Sequence, residues 1–194
     1  MNKEAAKHNL LEIKNIFDKL HIKFWLAHGT LLGAVREKGF ISYDFDLDGA
    51  ILATDWSPQL CSKFMKYGFA CSTRKSSAKR PAQLRIVKRG IVTHVGLKYY
   101  YPPENIYFSL PNVPTVRNAT LPAKLLKGDY FIHFLGAKFR VPNPPQEYLE
   151  WLYGKNWRTP VNDLSWQKAW KKISLDKYLK WLDEHPISQH RELK

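Results

Sequence analysis

Apolar residues return every three or four positions through the first twenty residues, at Ala6, Leu10, Ile13, Phe17 and Leu20. That period predicts a helix over about 3–20 with one buried face. Phe24 to Ala27 is a short apolar run that suits a strand and leads into His28-Gly29-Thr30. Leu31 to Lys38 is expected as a short helix, with Thr30 near its N-cap and Gly39 at its end. Tyr43 to Leu52 reads as a strand, and Ser57-Pro58 opens a helix running to about Tyr67. Leu84–Lys88 and Ile91–Tyr99, separated by Arg89-Gly90, predict a hairpin, and Tyr130–Phe134 with Lys138–Val141 predict a second. The Asn- and Pro-rich segment 105–120 between them reads as a loop with little regular structure. Pro145 to Tyr153 is expected to be a helix stopped by Gly154, followed by helices over about 163–172 and 175–184.

This order predicts an α+β protein, a small mixed sheet flanked by helices with a helical C-terminal part. Residues 1–160 are expected to form the main domain and 161–194 an extension packed on it. A content of 44 % hydrophobic residues, with 7 Trp, 10 Tyr and 10 Phe, excludes disorder by composition. No window is long and apolar enough for a membrane span, and the amphipathic N-terminus lacks the apolar core of a signal peptide. A cytoplasmic location is the resulting expectation. Cys61 and Cys71 have no metal-ligand spacing and read as two core residues rather than a disulfide framework.

Charge sharpens the picture through its placement more than its total of +14. Between Asp55 and Glu104 there is no acidic residue, while Arg74, Lys75, Lys79, Arg80, Arg85, Lys88, Arg89 and Lys98 all fall there. Such a band attracts a polyanion: a nucleotide, a phosphorylated glycan, nucleic acid or an anionic lipid surface. A solvated basic face is the plainer reading of the same residues. The Lys-rich outer faces of the last helices add peripheral membrane contact as a further reading. Trp151, Trp157, Trp166, Trp170 and Trp181 crowd the C-terminal quarter, where core packing or stacking on a base or sugar would each use them.

The chemistry concentrates in Asp44-Phe45-Asp46-Leu47-Asp48. On a strand, Phe45 and Leu47 would face the core while the three carboxylates share the other side, roughly 6–7 Å apart. Like charges so placed raise one another's pKa unless a cation sits among them, and Mg²⁺ or Mn²⁺ suits carboxylate and phosphate oxygens together. An exposed acidic strand face is the alternative; a calcium loop of the EF-hand type lacks its Gly and distal Glu. Ahead of this strand, Gly29-Thr30 at a helix start presents backbone N–H groups to an anion, and Arg36 offers a guanidinium to a phosphate. His28, Arg85 and Lys88 are further candidates for contacting phosphates or a base. Together these supply donors for a phosphate and carboxylates for a metal, the two halves of phosphoryl transfer.

The runs Gly29-Thr30-Leu31-Leu32-Gly33-Ala34-Val35-Arg36, Gly39-Phe40-Ile41 and Tyr43-Asp44-Phe45-Asp46-Leu47-Asp48 resemble the signature of the LicD/fukutin family. Weaker similarity continues through His94-Val95-Gly96-Leu97, Val141-Pro142-Asn143 and Tyr153-Gly154-Lys155-Asn156-Trp157. The resemblance implies a nucleotidyltransferase-like fold. It also implies transfer of phosphocholine, ribitol phosphate or a sugar phosphate from a nucleotide-activated, CDP-type donor to a glycan. By that resemblance Asp46 and Asp48, with Asp44, hold the metal and carry catalysis, and Gly29, Thr30 and Arg36 meet the donor. One position departs from the pattern: a third acidic residue is expected on the later strand, and Gly96 stands there. Asp44 or Asp129 would be the substitutes. Nucleotidyl transfer to nucleic acid or protein, and a binding module without turnover, are the two other readings.

Overall fold

A computed structural model describes residues 1–110, 116–117, 120–161 and 172–185, with backbone alone at 116–117 and 172–173. The N-terminal helix α1 (Lys3–Lys19) starts where the Asn2 side chain accepts from the Ala5 N–H at 3.0 Å. It buries Ala6, Leu10, Ile13 and Phe17, the stripe set by the helical period. Strand β1 (Trp25–Leu26) is short and wholly buried. Helix α2 (His28–Leu32) begins earlier than the sequence suggests, with Ala27 at the N-cap, so Thr30 lies inside the helix. The chain then widens into a π-helical turn over Gly33–Glu37 and ends on Lys38, not Gly39, in the left-handed region.

Strand β2 (Asp46–Leu52) is central, running antiparallel to β1 and parallel to β5 (Ile91–Tyr101). Helix α3 (Leu60–Met65) precedes β3 (Ala70–Lys75), and β4 (Pro81–Lys88) joins β5 through Arg89-Gly90, both at positive φ. Two left-handed residues in succession are the geometry a two-residue hairpin turn demands. The segment expected as a loop contains β6 (Ile106–Phe108), β7 (Val116–Arg117) and β8 (Thr120–Pro122); β6 extends the end of β5 and pairs with β8. The second hairpin, β9 (Phe131–Phe134) and β10 (Ala137–Arg140), lies beside β1. Helix α4 (Pro145–Tyr153) stops at Gly154 as read from the sequence.

The main sheet thus runs β3-β4-β5-β2-β1-β10-β9, a mixed sheet with helices packed against it. The expected helix over 163–172 lies outside the described residues, apart from its last residue. That residue, Lys172, belongs to a short strand, β11 (Lys172–Ile173), paired with β7. The last described helix is α5 (Asp176–Glu184). Its Tyr178 ring stacks on Phe108 at 4.9 Å, and its Trp181 meets Tyr101 edge-on at 5.5 Å.

One expectation is overturned outright. Cys61 and Cys71 are both buried, as predicted, but they are bonded to each other, their Cα atoms 5.1 Å apart. Helix α3 lies against β3, so the ten-residue separation brings the two thiols together across that contact. Among the described residues no helix is long and apolar enough to cross a membrane.

Candidate active site

The sheet register gathers the acidic residues. Asp46 and Asp48 leave β2 on one face while Leu47 between them is fully buried. Asp44 does not belong to that strand. It sits in the loop before it, its N–H bonded to the Ile41 carbonyl at 3.2 Å. Phe45, expected in the core, is 78 % exposed, because the alternation begins only at Asp46. The three carboxylates therefore come from a loop and a strand, and Asp44 folds back over α2.

What holds Asp48 there is Gly29-Thr30. The Gly29 N–H donates to Asp48 Oδ2 at 3.1 Å, and the buried Thr30 hydroxyl accepts from the Asp48 N–H at 2.8 Å. A Cβ on Gly29 would stand inside 3.0 Å of Asp44 Oδ2 and 3.4 Å from Asp48 Oδ2. Glycine is needed because two carboxylates close over its Cα. Gly29 and Thr30 were expected to cradle a phosphate; here their polar groups position Asp48.

Burial and crowding raise the proton affinity of Asp44 and Asp48. Burial, with the Asp46 charge next, pushes Asp44 up to about 6. Burial and both neighbouring carboxylates push Asp48 well above its ordinary value. A divalent cation would relieve that repulsion, so the donor set fits a hard metal ion. Among the described residues, no three His, Cys, Asp or Glu side chains already converge as a metal-ligand set. The fit is in the chemistry of the carboxylates rather than in a closed cage.

Beside Asp44 opens a cavity of about 360 Å³, lined chiefly by Gly29, Arg36, Tyr43, Tyr153, Trp157 and Thr159. Arg36 reaches it from the π-helical turn, its Nη1 donating to the Trp157 carbonyl at 3.1 Å and its Nε to Glu37 at 3.0 Å. Its Nη2, 2.9 Å from the same carboxylate, makes no aligned hydrogen bond. Trp157 is 5 % exposed, and its indole N–H is likewise buried with no partner among the described residues. Tyr43, Tyr153 and Thr159 lay outside the sequence-based set of site residues. Tyr153 and Trp157 stand more than 100 positions after Asp44, and no local pattern in the chain links them.

Other candidates fall in different places. His28 adopts a left-handed φ of 41°, and burial, helped by the Lys98 charge, holds its pKa down to about 3. It is therefore neutral, and Tyr148 bonds to its backbone. Arg85 projects on the carboxylate side of the sheet, opposite His94. Lys88 does not: it turns to the other face, pairs with Glu12 at 2.5 Å and donates to the Tyr67 carbonyl. Asp129 is no substitute for the third acid, because it pairs with Arg140 and, at 3.5 Å, with Lys23 at the far edge of the sheet. His94 Nε2 stands 3.6 Å from Asp46 Oδ2. Lys98 shares the face of His94 and donates to Ser109 at 2.7 Å, and burial brings its pKa down to about 8. Gly96 pairs with Ala50, two residues beyond Asp48, and a Cβ there meets only the Gly49 carbonyl at 3.9 Å.

Residues 21–144 match the family described as LicD/FKTN/FKRP, nucleotidyltransferase domain. The chain belongs to this family. The human ribitol-5-phosphate transferase FKTN is 25 % identical over 170 residues, covering 86 % of this chain and 36 % of that protein. The mouse protein is 24 % identical over the same length. An uncharacterised protein of Rickettsia prowazekii is 33 % identical over 101 residues, 47 % of this chain and 38 % of its own. The chain thus spans about a third of the length of these relatives. Among solved structures, the antibiotic-resistance factor ANT(2'')-Ia shares the fold with a TM-score of 0.51 at 10 % identity, over 98 % of this chain and 78 % of that one.

Proposed function

We propose that this LicD-family domain is a divalent-metal-dependent phosphotransferase. It moves a phospho-alcohol or sugar-phosphate group from a nucleotide-activated, CDP-type donor to a hydroxyl of a glycan. The observation that carries the reading is the gathering of Asp44, Asp46 and Asp48, with Asp48 fixed by Gly29 and Thr30 and Asp44 lining the cavity. The ribitol-5-phosphate transferase named among the relatives supports the choice of transferred group.

Asp46 and Asp48, with Asp44 assisting, would hold Mg²⁺ or Mn²⁺. The ion, when bound, neutralises charge on the phosphate oxygens. Arg36 and the Trp157 N–H, the buried donors that line the cavity, orient the donor molecule there. The acceptor oxygen forms a bond to phosphorus, the bond to the nucleoside monophosphate breaks, and the hydroxyl proton passes to water. Asp46→Asn and Asp48→Asn are each expected to abolish transfer in an assay with CDP-ribitol or CDP-choline while the fold is kept. Full transfer in both variants would sink the assignment.

Gly96 favours a second reading. The register puts it on the site face with room for a carboxylate that it does not supply. A domain that binds donor without turnover would show a Mn²⁺-dependent thermal shift with CDP-ribitol but release no CMP. Gly96→Asp in the same assay asks whether that carboxylate limits catalysis.

A further inference from the structure

A second cavity, of about 300 Å³, shares no lining residue with the one beside Asp44. It lies between the last turns of α1, the short link from α1 to β1, and the hairpin of β9 and β10. Lys14 and Asp18 line it from the helix, His21 and Lys23 from the link, and Phe131 and Arg140 from the hairpin. Its volume is at the lower end of the range for small-molecule sites. None of these residues has a part in the transfer chemistry above.

Arg140 is the most firmly placed group in the wall. Its side chain is 15 % exposed, with the guanidinium 4.7 Å from the centre of the Phe131 ring and 5.7 Å from that of Trp25. Two aromatic rings fix it, so little freedom is lost when an anion binds. A guanidinium carries five N–H donors, and among the described residues Asp129 is the one acceptor it meets. That carboxylate is exposed and is shared with Lys23, at 3.5 Å. Asp129 thus marks a place where two cations hold an anionic group, and it leaves them with positive charge in excess. Lys14, on the helix side, is paired with Asp18 at 2.5 Å.

Beside this charge the wall is apolar. Phe131 is 45 % exposed, and Ile22 and Phe24 complete the lining. The Arg140 guanidinium lies over the Phe131 ring, which leaves the opposite face of that ring for a ligand. A fixed guanidinium next to an exposed ring suits a molecule that joins a phosphate to a flat ring. A bare inorganic anion would leave Phe131 unused, and an uncharged ring would leave Arg140 and Lys23 unused. A nucleobase supplies the ring, because every base has a face that stacks on an aromatic side chain.

We propose that this cavity binds a nucleoside monophosphate, with the phosphate held by Arg140 and Lys23 and the base stacked on Phe131. The site is separate from the donor cavity and does not depend on the phosphotransferase reading.

The test titrates the whole chain, in EDTA and physiological salt, with AMP, adenosine and inorganic phosphate, followed by NMR. AMP should shift the amides of Ile22, Lys23, Phe131 and Arg140 and bind about tenfold more tightly than either fragment. Phe131→Ala should bring AMP down to the affinity of phosphate, and Arg140→Gln to that of adenosine. Where Arg140→Gln does not fold, Lys23→Glu, on a half-exposed side chain, reads the same contact and should weaken AMP while leaving adenosine unchanged. The thermal shift with CDP-ribitol and Mn²⁺ should be the same in Phe131→Ala as in the wild type. The proposal is overturned if AMP does not bind, or shifts only amides around Gly29 and Asp44. Phosphate binding as tightly as AMP, or unchanged AMP affinity in Phe131→Ala, would overturn it too. Loss of the donor shift in Phe131→Ala would do the same, by making the cavity part of the donor site.

Discussion

A single methyl group on Gly29 tests how the carboxylates are set. It would collide with Asp44 Oδ2, the free end of a side chain, so the backbone need not move. Gly29→Ala should therefore leave the melting temperature within a few degrees of wild type. Transfer should fall roughly a hundredfold, the usual cost of displacing a reacting group by about an ångström; near-normal transfer would refute the positioning role. The proton affinities give a second expectation. Asp44 and Asp48 titrate above their unfolded values. Their protonated forms thus favour the folded state, a contribution complete below about pH 4 and lost as pH rises through about 6 for Asp44. Metal-free protein should melt at lower temperature at pH 7.5 than at pH 5, with a smaller difference in Asp44→Asn. Mn²⁺ should restore the loss at pH 7.5. A flat profile in the wild type would mean that neither burial nor repulsion raises these carboxyls. That Asp46 and Asp48 share one face was readable from strand alternation; the bond from Gly29, expected to meet a phosphate, to Asp48 was not, because 19 positions separate them. Arg36's grip on the Trp157 carbonyl, 121 positions away, was not, because it is a product of tertiary packing.

Elements with a strong period or a specific turn were legible before the structure: α1, the Arg89-Gly90 hairpin, the Leu135-Gly136 hairpin and α4 ended by Gly154. Strand β3 was not, since Ser72, Thr73, Arg74 and Lys75 carry no apolar alternation and only pairing with β4 makes them a strand. The same holds for β6 and β8, which form by extending the end of β5. The turn after α2 shows why local rules misplace an end. Gly39 looks like the stop, yet Lys38 takes the left-handed conformation and the widened π-helical turn sets the path. The glycine that this path needs is Gly33, where a Cβ would lie 2.5 Å from the Gly39 carbonyl oxygen and 3.2 Å from the Ile41 N. Both obstacles are backbone. Gly33→Ala should destabilise by about 1–3 kcal/mol, read as a lower urea midpoint with unchanged slope. Gly39→Ala, whose Cβ would meet only the Glu37 oxygen at 3.9 Å, should shift it little. The reverse order would show that the tight turn is not where the chain is constrained.

At the scale of the molecule, charge and packing divide between the two faces of the sheet. Lys88 and Arg89 both close on Glu12 of α1, on the helix-covered face. On the carboxylate face, Arg85 and Arg74 have no carboxylate partner among the described residues. The far end of β5 is covered by α5. Tyr178 and Leu182 are each 2 % exposed, Tyr178 lying between Phe108 and Tyr101, and Arg80 reaches both Asp183 and the Leu182 carbonyl. Two such side chains contribute roughly 3–6 kcal/mol by burial, a large share of the 5–15 kcal/mol typical of a domain. A chain ending at residue 171 should therefore lose a large part of its urea midpoint and expose Phe108 and Tyr99. Where that truncation does not fold, Tyr178→Ala with Leu182→Ala in the full chain reads the same contacts. Because Tyr178 packs on Tyr101 of β5 and Phe108 of β6, the double variant should keep its Mn²⁺-dependent shift with CDP-ribitol at a lower starting temperature. An unchanged midpoint would mean that the extension rides on the sheet without supporting it. Loss of the donor shift at intact fold would mean that α5 reaches the site after all.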